Sequence, residues 1–423
     1  MGIVGFGTVG QATADIIQQH ADLIEWRSGV RLAVTAVCRR SGVALEHVPT
    51  GARSVFDWKQ LVHSNDIDVL VETMGGTGEA LHLLRSALAN GKPVVTANKN
   101  LLAEHGDELF ATAVSRNLPI GFEASVAGGI PILRVIHEST AGDRLRAVHG
   151  ILNGTANYIL TQMESRGIEF DQALAEAQAA GFAEADPSFD IDGLDARDKL
   201  CILARMSFGG RLSVSRIPTY GIRTVRAIDI HSADRLESTI RLVGSAEQTK
   251  DGLEVSVRPW LVGRRSMLAK VEGVNNAVFL VGDKIGTQMF YGRGAGGDAT
   301  GAAVVSDLVE IARDLASGQM SAKRVSGFLD TKHLEICQKP RAVSWYLRLT
   351  VKDQRGIVAR VAEVIAREDI NIDSLEQEPH MPKDRLSFVI TVEPVSEPTI
   401  RKAVDEINAF DFMVEPVLLL RIE

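Results

Sequence analysis

Three glycines near the start of the chain constrain its fold more than any other feature. Gly5, Gly7 and Gly10 follow the apolar residues 3–4 and precede a helix-forming stretch at residues 11–19. In this G-x-G-x-x-G spacing the first glycine permits a tight turn, the second lets the backbone approach a pyrophosphate, and the third lets helix and strand pack closely. The spacing predicts a dinucleotide site between a first strand and a first helix. A glycine-rich turn without a ligand is the alternative.

Composition narrows the class of protein. A net charge of −8 and the lack of a basic block argue against a nucleic-acid partner. Cys38, Cys201 and Cys337 are far apart and form no C-x-x-C pair, so neither a disulfide framework nor a zinc site is expected, and a reducing cytoplasm is the expected compartment. No apolar run approaches the roughly 18 residues that a membrane span needs, so no membrane partner is expected.

The 423 residues are enough for two or three domains. Strand-like and helical segments alternate over residues 1–120, which predicts a doubly wound parallel sheet, joined by a returning helix at about 300–318. Residues 121–300 read as an α+β substrate and dimerisation domain, and 319–343 as a linker. Residues 344–423 have the order βαββαβ of a ferredoxin-like sandwich.

The ends of the first two strands bear on the cofactor. Met1 stands where the first strand should have several further residues, which indicates a missing start. The second strand, predicted over 32–37, is followed by Arg39 and Arg40 where an NAD-binding sheet usually places an acidic residue. Two guanidinium groups suit a 2′-phosphate, which favours NADP over NAD. The alternative is a pair of solvated arginines.

Two lysines are candidates for the chemistry. Lys99 follows a strand predicted over 93–97, at the sheet edge where ligands of such folds bind. Lys199 ends an acidic run and lies one helical turn after Asp195, with apolar residues continuing on the same side. A calcium loop with Gly193 at its sixth position fails, because Lys199 would occupy the twelfth position, where a glutamate is required. A partly buried Lys199 could act as a general acid, and a surface ion pair with Asp195 is the alternative.

Residues 123–131 contain two glycines and a proline, which force an irregular backbone. Inward-pointing carbonyl groups of such a segment suit a monovalent cation. A hinge between domains is the alternative.

The residues taken together resemble the homoserine dehydrogenase family, in its long form with a C-terminal ACT domain. The strongest similarity is the discontinuous pattern that begins A-x-x-x-G-F-A at Ala177 and ends D-x-x-x-K at Lys199. Further similar blocks lie at residues 93–106, 123–131, 150–158, 292–297 and 300–307. The resemblance covers nearly the whole chain.

The resemblance implies an NAD(P)-dependent oxidoreductase that interconverts L-aspartate 4-semialdehyde and L-homoserine, in the biosynthesis of threonine, methionine and isoleucine. It implies that Lys199 protonates the aldehyde oxygen, that Lys99 assists, and that Glu184 holds the substrate ammonium. It places Asp190 and Asp195 in the same pocket. The cofactor would contact Gly5, Phe6, Gly7, Thr8, Val9, Gly10, Arg39, Arg40, Lys99 and Gly296. A sodium or potassium ion would be bound by Glu123, Val126, Gly128 and Ile130.

The C-terminal segment resembles an ACT domain, which senses small amino acids. The expected effector corner includes Asp353 and Gly356, before a helix whose N–H groups can receive a carboxylate. L-threonine is the effector that the resemblance implies, and a structural, dimer-forming role is the alternative. A homodimer or homotetramer is expected. Two rival functions remain open: another small-substrate NAD(P) dehydrogenase, and a catalytically silent amino-acid sensor with a structural dinucleotide site.

Overall fold

A six-stranded, all-parallel sheet carries the glycine-rich turn. The computed structural model describes residues 1–39, 48–322, 332–378 and 381–423. The strands of this sheet are β1 Gly2–Val4, β2 Ala36–Cys38, β3 Arg53–Val55, β4 Leu70–Glu72, β5 Val94–Thr96 and β6 Ile120–Gly121. Their order, β3-β2-β1-β4-β5-β6, places β1 next to β4 at the point where the chain reverses direction across the sheet. In open α/β sheets ligands bind at the carboxyl edge beside such a reversal.

Helices cover this sheet and connect its strands. They are α1 Thr8–Gln19, α2 Ala21–Ser28, α3 Lys59–Val62, α4 Gly78–Ala89 and α5 Lys99–Ser115. Strand β2 differs from the predicted range, because residues 32–35 lie outside the strand. The three residues of β1 pair one to one with Ala36–Cys38. Before them, only isolated backbone bonds join the two segments, from the nitrogen of Thr35 to the Met1 carbonyl at 3.0 Å and from the amino group of Met1 to the Ala33 carbonyl at 2.8 Å, within the described residues.

The second region is a mixed α+β unit. Its strands are β7 Leu145–Ile151, β8 Ser238–Thr249, β9 Gly252–Gly263, β10 Asn275–Gly282 and β11 Gly286–Arg293. Its helices are α6 Ile132–Arg134, α7 Gly154–Arg166, α8 Phe170–Ala179, α9 Ser188–Ile191, α10 Leu194–Phe208 and α11 Ala227–Arg235. The sequence pattern does not predict β8, whose buried face includes the charged Arg241, paired with Glu164 at 2.8 Å. Helix α12, Gly297–Ser317, then returns to pack on α1.

The last region has the predicted βαββαβ order. Its elements are β12 Val343–Val351, α13 Ile357–Arg367, β13 Ile372–Gln377, β14 Leu386–Val395, α14 Glu397–Asn408 and β15 Met413–Ile422. Apolar residues of α13 recur at helical spacing and are buried against the four-stranded sheet in a separate hydrophobic core. The predicted ferredoxin-like sandwich is confirmed.

The sheets of the second and third regions are continuous, which the sequence does not predict. β15 pairs in parallel with β9, through Arg421 with Trp260 and Ile422 with Leu261. The resulting nine-stranded sheet has the order β11-β10-β7-β8-β9-β15-β12-β14-β13. Within the described ranges, no helix has the length and apolar character needed to cross a membrane.

Candidate active site

The glycine-rich turn is shaped by close backbone contacts. Gly5 has φ of +95°, and a Cβ atom there would lie 2.5 Å from the backbone nitrogen of Met74. A Cβ atom on Gly10 would lie 2.4 Å from the carbonyl oxygen of Gly5. By contrast, a Cβ atom on Gly7 would have nothing within 4 Å. The first and third glycines are therefore required by the fold, and the second leaves open space at the start of α1 for a ligand.

The start of α12 lies against this turn. A Cβ atom on Gly297 would lie 3.1 Å from the Thr8 side chain, and one on Gly301 would lie 3.0 Å from the Thr13 backbone nitrogen. Gly296, with φ of +109°, again has nothing within 4 Å. Two helices therefore begin side by side at an open, glycine-lined edge, where their free N–H groups favour an anionic group such as a pyrophosphate.

The strand ends beside the turn are held by a buried carboxylate. Glu72 accepts hydrogen bonds from the backbone nitrogen of Met74 at 2.7 Å and from the Thr96 hydroxyl at 2.6 Å. Asn98 caps α5 by accepting from the nitrogen of Leu101 at 3.1 Å. This cap makes Lys99 the first residue of α5, at the carboxyl edge of the sheet.

Asp195 joins the two predicted lysines. Its Oδ1 atom lies 3.0 Å from Nζ of Lys99, and its Oδ2 atom accepts a hydrogen bond of 2.7 Å from Nζ of Lys199. The Lys199 side chain is 9% exposed and that of Lys99 is 28% exposed. Lys199 also donates to the carbonyl oxygen of Leu152 at 2.8 Å. The surface ion pair considered for Lys199 is therefore a buried one.

Asn153 is a site residue that sequence reasoning missed. Its Nδ2 atom donates to Asp190 at 2.7 Å and to Asp195 at 2.8 Å, while its Oδ1 atom caps α7. Asn276 supports the same site, because it donates to the Leu152 carbonyl at 2.9 Å. An asparagine directly before a helix is a visible capping signal. The second role of Asn153, which is to link the carboxylates of Asp190 and Asp195, depends on long-range contacts.

The charges of this cluster shift the pKa values of its members. Burial alone would raise the pKa of Asp195, but Lys199 and Lys99 hold it well below its usual range. Burial alone would lower the pKa of Lys99, yet Asp195, helped by Asp190 and Asp198, raises it. Burial and the Asp195 charge raise the pKa of Asp190. Asp195 is therefore ionised and Lys99 protonated at neutral pH.

Glu184 lies apart from this cluster. The structure brings together Lys99, Lys199, Asp190 and Asp195, whereas Glu184 is exposed in the segment between α8 and α9. Its backbone carbonyl accepts a hydrogen bond from Gln178 at 3.0 Å. Its predicted role at the substrate ammonium stays a prediction.

Of the two arginines predicted at the cofactor, Arg39 is described and Arg40 lies outside the described residues. Arg39 donates from Nε to the Ser54 hydroxyl at 2.9 Å and lies over the Phe56 ring at 5.3 Å. These contacts hold its guanidinium at the carboxyl end of β2.

The predicted cation segment is an irregular, buried loop. Ala127 and Gly128 have consecutive positive φ values of +54° and +47°. Glu123 turns its carboxylate toward the start of α6, where it accepts from the nitrogens of Leu133 and Arg134 at 2.9 and 2.8 Å. Burial and the Asp307 charge raise the pKa of Glu123 to about 7.

The backbone carbonyl groups of the four predicted cation ligands differ in whether they accept a hydrogen bond. The carbonyls of Glu123 and Ile130 accept backbone hydrogen bonds from Val126 and Ile132. Those of Val126 and Gly128 accept none from the described residues. A Cβ atom on Gly128 would lie 2.8 Å from the Gly294 carbonyl oxygen, so this loop packs against the one that leads into α12.

The predicted effector corner contains a small cavity. It has a volume of about 160 Å³ and is lined by Asp353, Gly356, Ile357 and Gln377 among others. Gly356 adopts φ of +87° directly before α13. A larger cavity, of about 310 Å³ between β6 and the end of α12, contains none of the predicted site residues, so cavity volume does not mark the active site.

The fold combines a glycine-lined edge of a parallel sheet, a buried lysine–carboxylate cluster that includes Lys99 at the carboxyl edge of the same sheet, and a ferredoxin-like tail. These features define a dinucleotide-dependent oxidoreductase with an appended ferredoxin-like domain. Three family models match the chain: "Homoserine dehydrogenase, NAD binding domain" over residues 5–123, "Homoserine dehydrogenase" over 131–309, and "ACT domain" over 345–412. The chain belongs to the homoserine dehydrogenase family.

Relatives of known name agree along the whole chain. A homoserine dehydrogenase of Neisseria gonorrhoeae is 37% identical, covering 100% of this chain and 98% of the relative, and that of Bacillus subtilis is 34% identical with the same coverage. A homoserine dehydrogenase structure from Thiobacillus denitrificans has a TM-score of 0.91 at 36% identity, covering 100% of this chain and 97% of that one. A hyperthermophilic archaeal homoserine dehydrogenase in complex with NADPH has a TM-score of 0.61 at 31% identity, covering 73% and 96%.

Proposed function

We propose that Lys199 is the general acid in the reduction of L-aspartate 4-semialdehyde to L-homoserine, at the cluster formed with Lys99 and Asp195. The observation that carries the proposal is the set of contacts made by Nζ of Lys199. An ammonium group has three donors, and two are committed, to Leu152 and Asp195, so one remains for the aldehyde oxygen. When bound, reduced nicotinamide supplies the hydride that adds to the aldehyde carbon. Lys199 stabilises the charge that develops on oxygen and donates the proton.

Lys99 is proposed to assist this proton transfer. It shares Asp195 with Lys199 and is the more exposed of the two lysines. Asp195 therefore connects the buried general acid, Lys199, to the ammonium group of Lys99, which is nearer to solvent. Glu184 is proposed to hold the substrate ammonium, with Asp190, which Asn153 contacts, and Asp195 lining the substrate pocket.

The test is the substitution Lys199→Ala. We expect kcat to fall by about 10²–10⁴, the usual contribution of one general acid, with little change in NADPH affinity. Lys402→Ala, at a lysine 72% exposed on α14, is the control and should leave kcat unchanged. An unaltered kcat in Lys199→Ala would reject the role.

NADP is proposed as the preferred cofactor, with NAD as the alternative. The position of Arg39 at the end of β2 and the NADPH bound by the archaeal relative support this preference. Arg39→Ala and Arg40→Ala should each weaken NADPH more than NADH. An equal loss of affinity for both nucleotides would contradict recognition of the 2′-phosphate by these arginines.

A sodium or potassium ion is proposed at the loop that contains Val126 and Gly128. Two buried carbonyl groups without a donor among the described residues support it, since a hard cation would satisfy them. Glu123 and Ile130 would complete the site. Activity assayed in tetramethylammonium salts should rise on addition of sodium or potassium chloride, and an unchanged rate would oppose the site.

The ACT domain is proposed to bind a small amino acid, with L-threonine as the expected effector. The cavity that includes Asp353 and Gly356 at the start of α13 supports a ligand carboxylate there. Asp353→Asn should reduce threonine inhibition without altering basal kcat. An identical threonine response would favour a structural role for this domain.

A homodimer or homotetramer is proposed, because β11 is an exposed edge of the nine-stranded sheet and carries Tyr291, which is 55% exposed. An open edge strand offers unpaired backbone groups to another chain. Sedimentation analysis tests the assembly, and a monomer at assay concentration would contradict it.

A cytoplasmic location is also proposed, since Cys38, Cys201 and Cys337 are free thiols.

A further inference from the structure

A third cavity, called the interdomain pocket below, lies where three parts of the chain meet. It has a volume of about 100 Å³, and its walls come from β9, from the ACT-domain elements β12, α14 and β15, and from the connecting segment at 336–341. Its charged lining residues are Glu254, Arg258, Arg341, Glu397 and Arg421. It is distinct from both the lysine cluster and the Asp353 corner.

Arg421 is the least compensated of these charges. Its guanidinium stacks on the Trp260 ring at 4.3 Å, and its Nε atom is buried without a hydrogen-bond partner. No carboxylate oxygen of the described residues lies within 4.0 Å of it. Burial, with Arg341 and Arg258 nearby, lowers the pKa of Arg421 to about 10. Glu254 and Glu247 offset this effect only in part. The side chain is partly exposed, but its buried Nε–H group has no acceptor among the described residues, which points to an anion.

Arg258 adds a second donor to the same pocket. The residue is 5% exposed and pairs with Glu397 at 2.9 Å, but its Nε atom is also buried without a partner. Arg341 differs, because it is paired with Glu247 at 2.9 Å. Arg258 and Arg341 therefore each contact a carboxylate, whereas Arg421 has none within 4.0 Å in the part of the chain that the structure describes.

We propose that this interdomain pocket binds a small carboxylate, held by Arg421 and Arg258. A planar guanidinium group matches the two oxygens of a carboxylate, and the unsatisfied Nε–H groups supply the donors. The aromatic rings behind both arginines, Trp260 at 4.3 Å and Trp345 at 5.7 Å, hold the guanidinium groups in place.

Packed contacts connect the pocket to the active site. Arg258 lies over the Tyr220 ring at 4.8 Å. Tyr220 donates from its backbone nitrogen to Val257 at 2.8 Å, and Ile222 donates to Ile191 at 2.8 Å. Ile191 directly follows Asp190, which is hydrogen-bonded to Asn153 in the lysine cluster. A bound carboxylate would therefore touch a side chain only a few contacts from the substrate site.

The probe is sodium acetate, titrated against sodium chloride at equal ionic strength, with tryptophan fluorescence and thermal unfolding as readouts. In the full-length protein, acetate should produce a saturable fluorescence change and raise Tm, whereas chloride should not. Arg421→Gln should weaken acetate binding by about tenfold or more, since it removes the charged fork. Without acetate it should not lower Tm, because it removes a guanidinium group that no described carboxylate contacts.

Three control variants should keep the acetate response: Arg264→Gln, at an exposed arginine beyond the end of β9, Asp353→Asn at the effector corner, and Lys199→Ala at the active site. Ser256→Asp provides a second test if Arg421→Gln does not fold. Ser256 lies on β9 between Glu254 and Arg258 and lines the pocket. The carboxylate that the substitution introduces should therefore replace the external anion and abolish the response to acetate. Equal responses in the wild type and Arg421→Gln, or an equal effect of chloride, would overturn the proposal.

Discussion

At the scale of single residues, Asp195 determines the arrangement of the lysine cluster. It is 4% exposed and contacts Lys99, Lys199 and Asn153 at 3.0, 2.7 and 2.8 Å. One buried carboxylate therefore orients both ammonium groups, and against the effect of burial it raises the pKa of Lys99. Its lysine partner one turn later was visible in the sequence. Its contacts with Lys99 and Asn153 were not, because they join residues far apart in the chain.

Asn153 should affect both stability and rate. Asn153→Ala removes the cap of α7, which we expect to cost about 1 kcal/mol of the free energy of unfolding. It also frees Asp190 and Asp195, so kcat should fall by up to about 10²-fold through misplacement of the lysines. Asn153→Asp is the matched variant. It keeps the capping oxygen but adds a carboxylate beside two others, so its kcat should fall while α7 stays capped. Wild-type rates in both variants would contradict this role.

His149 should make stability depend on acid pH. Burial, with Arg421 and Arg341 nearby, lowers the pKa of His149 to about 4, from 6.5 in the unfolded chain. Between these values the unfolded state binds more protons, so the free energy of unfolding decreases as pH falls from 6.5 to 4. His149→Gln should flatten the stability curve in this window and leave its slope above pH 7 unchanged. Urea unfolding at several pH values measures this, with His105→Gln as the control, and an equally steep curve in His149→Gln would refute it.

At the scale of elements, the crossing of α1 and α12 brings the two glycine-lined helix starts together. Gly297 and Gly301 lie one turn apart on α12 and face α1, where no side chain fits without displacement. The sequence predicts both helices and the return of the second to the first domain. It does not predict their separation, which depends on backbone positions from both ends of the chain.

Gly301→Val should push these helices apart. Its side chain would meet the Thr13 nitrogen, where a Cβ atom already lies at 3.0 Å, so we expect a loss of about 1–3 kcal/mol in the free energy of unfolding and weaker NADPH binding. Ala302→Val is the matched control, because the neighbouring Ala302 is exposed. Denaturant unfolding and nucleotide titration measure both effects. Equal behaviour of the two variants would count against the packing role.

At the scale of the whole molecule, the ACT domain is built into the catalytic domain. Besides the pairing of β15 with β9, Asp229 of α11 is fully buried and accepts hydrogen bonds from Tyr346 at 2.8 Å and Arg348 at 2.9 Å of β12. Deleting residues 345–423 would expose this buried carboxylate, so single substitutions are the cleaner test of regulation.

Asp229→Asn should therefore destabilise the whole protein. It leaves Arg348 buried at 3% exposure, with Glu415 at 3.5 Å as its remaining carboxylate partner among the described residues, and we expect a loss of about 3 kcal/mol in the free energy of unfolding. Asp411→Asn, which removes an exposed ion pair with Arg360, should cost no more than about 1 kcal/mol. Urea unfolding followed by tryptophan fluorescence measures both. Equal small losses would show that the Asp229 contacts do not hold the domains together.

The sequence by itself determined the local structure: the glycine turn before α1, the βαββαβ order of the tail, and the Asp195–Lys199 pair one helical turn apart. These features depend on spacing along a few residues, where backbone geometry and side-chain periodicity act directly. Only the tertiary structure decided that Lys99 and Asn153 meet Asp195, that α12 begins beside α1, and that Arg421 stacks on Trp260 between two domains. Such contacts join segments tens to hundreds of residues apart, and their distances and charges exist only once the sheets have packed.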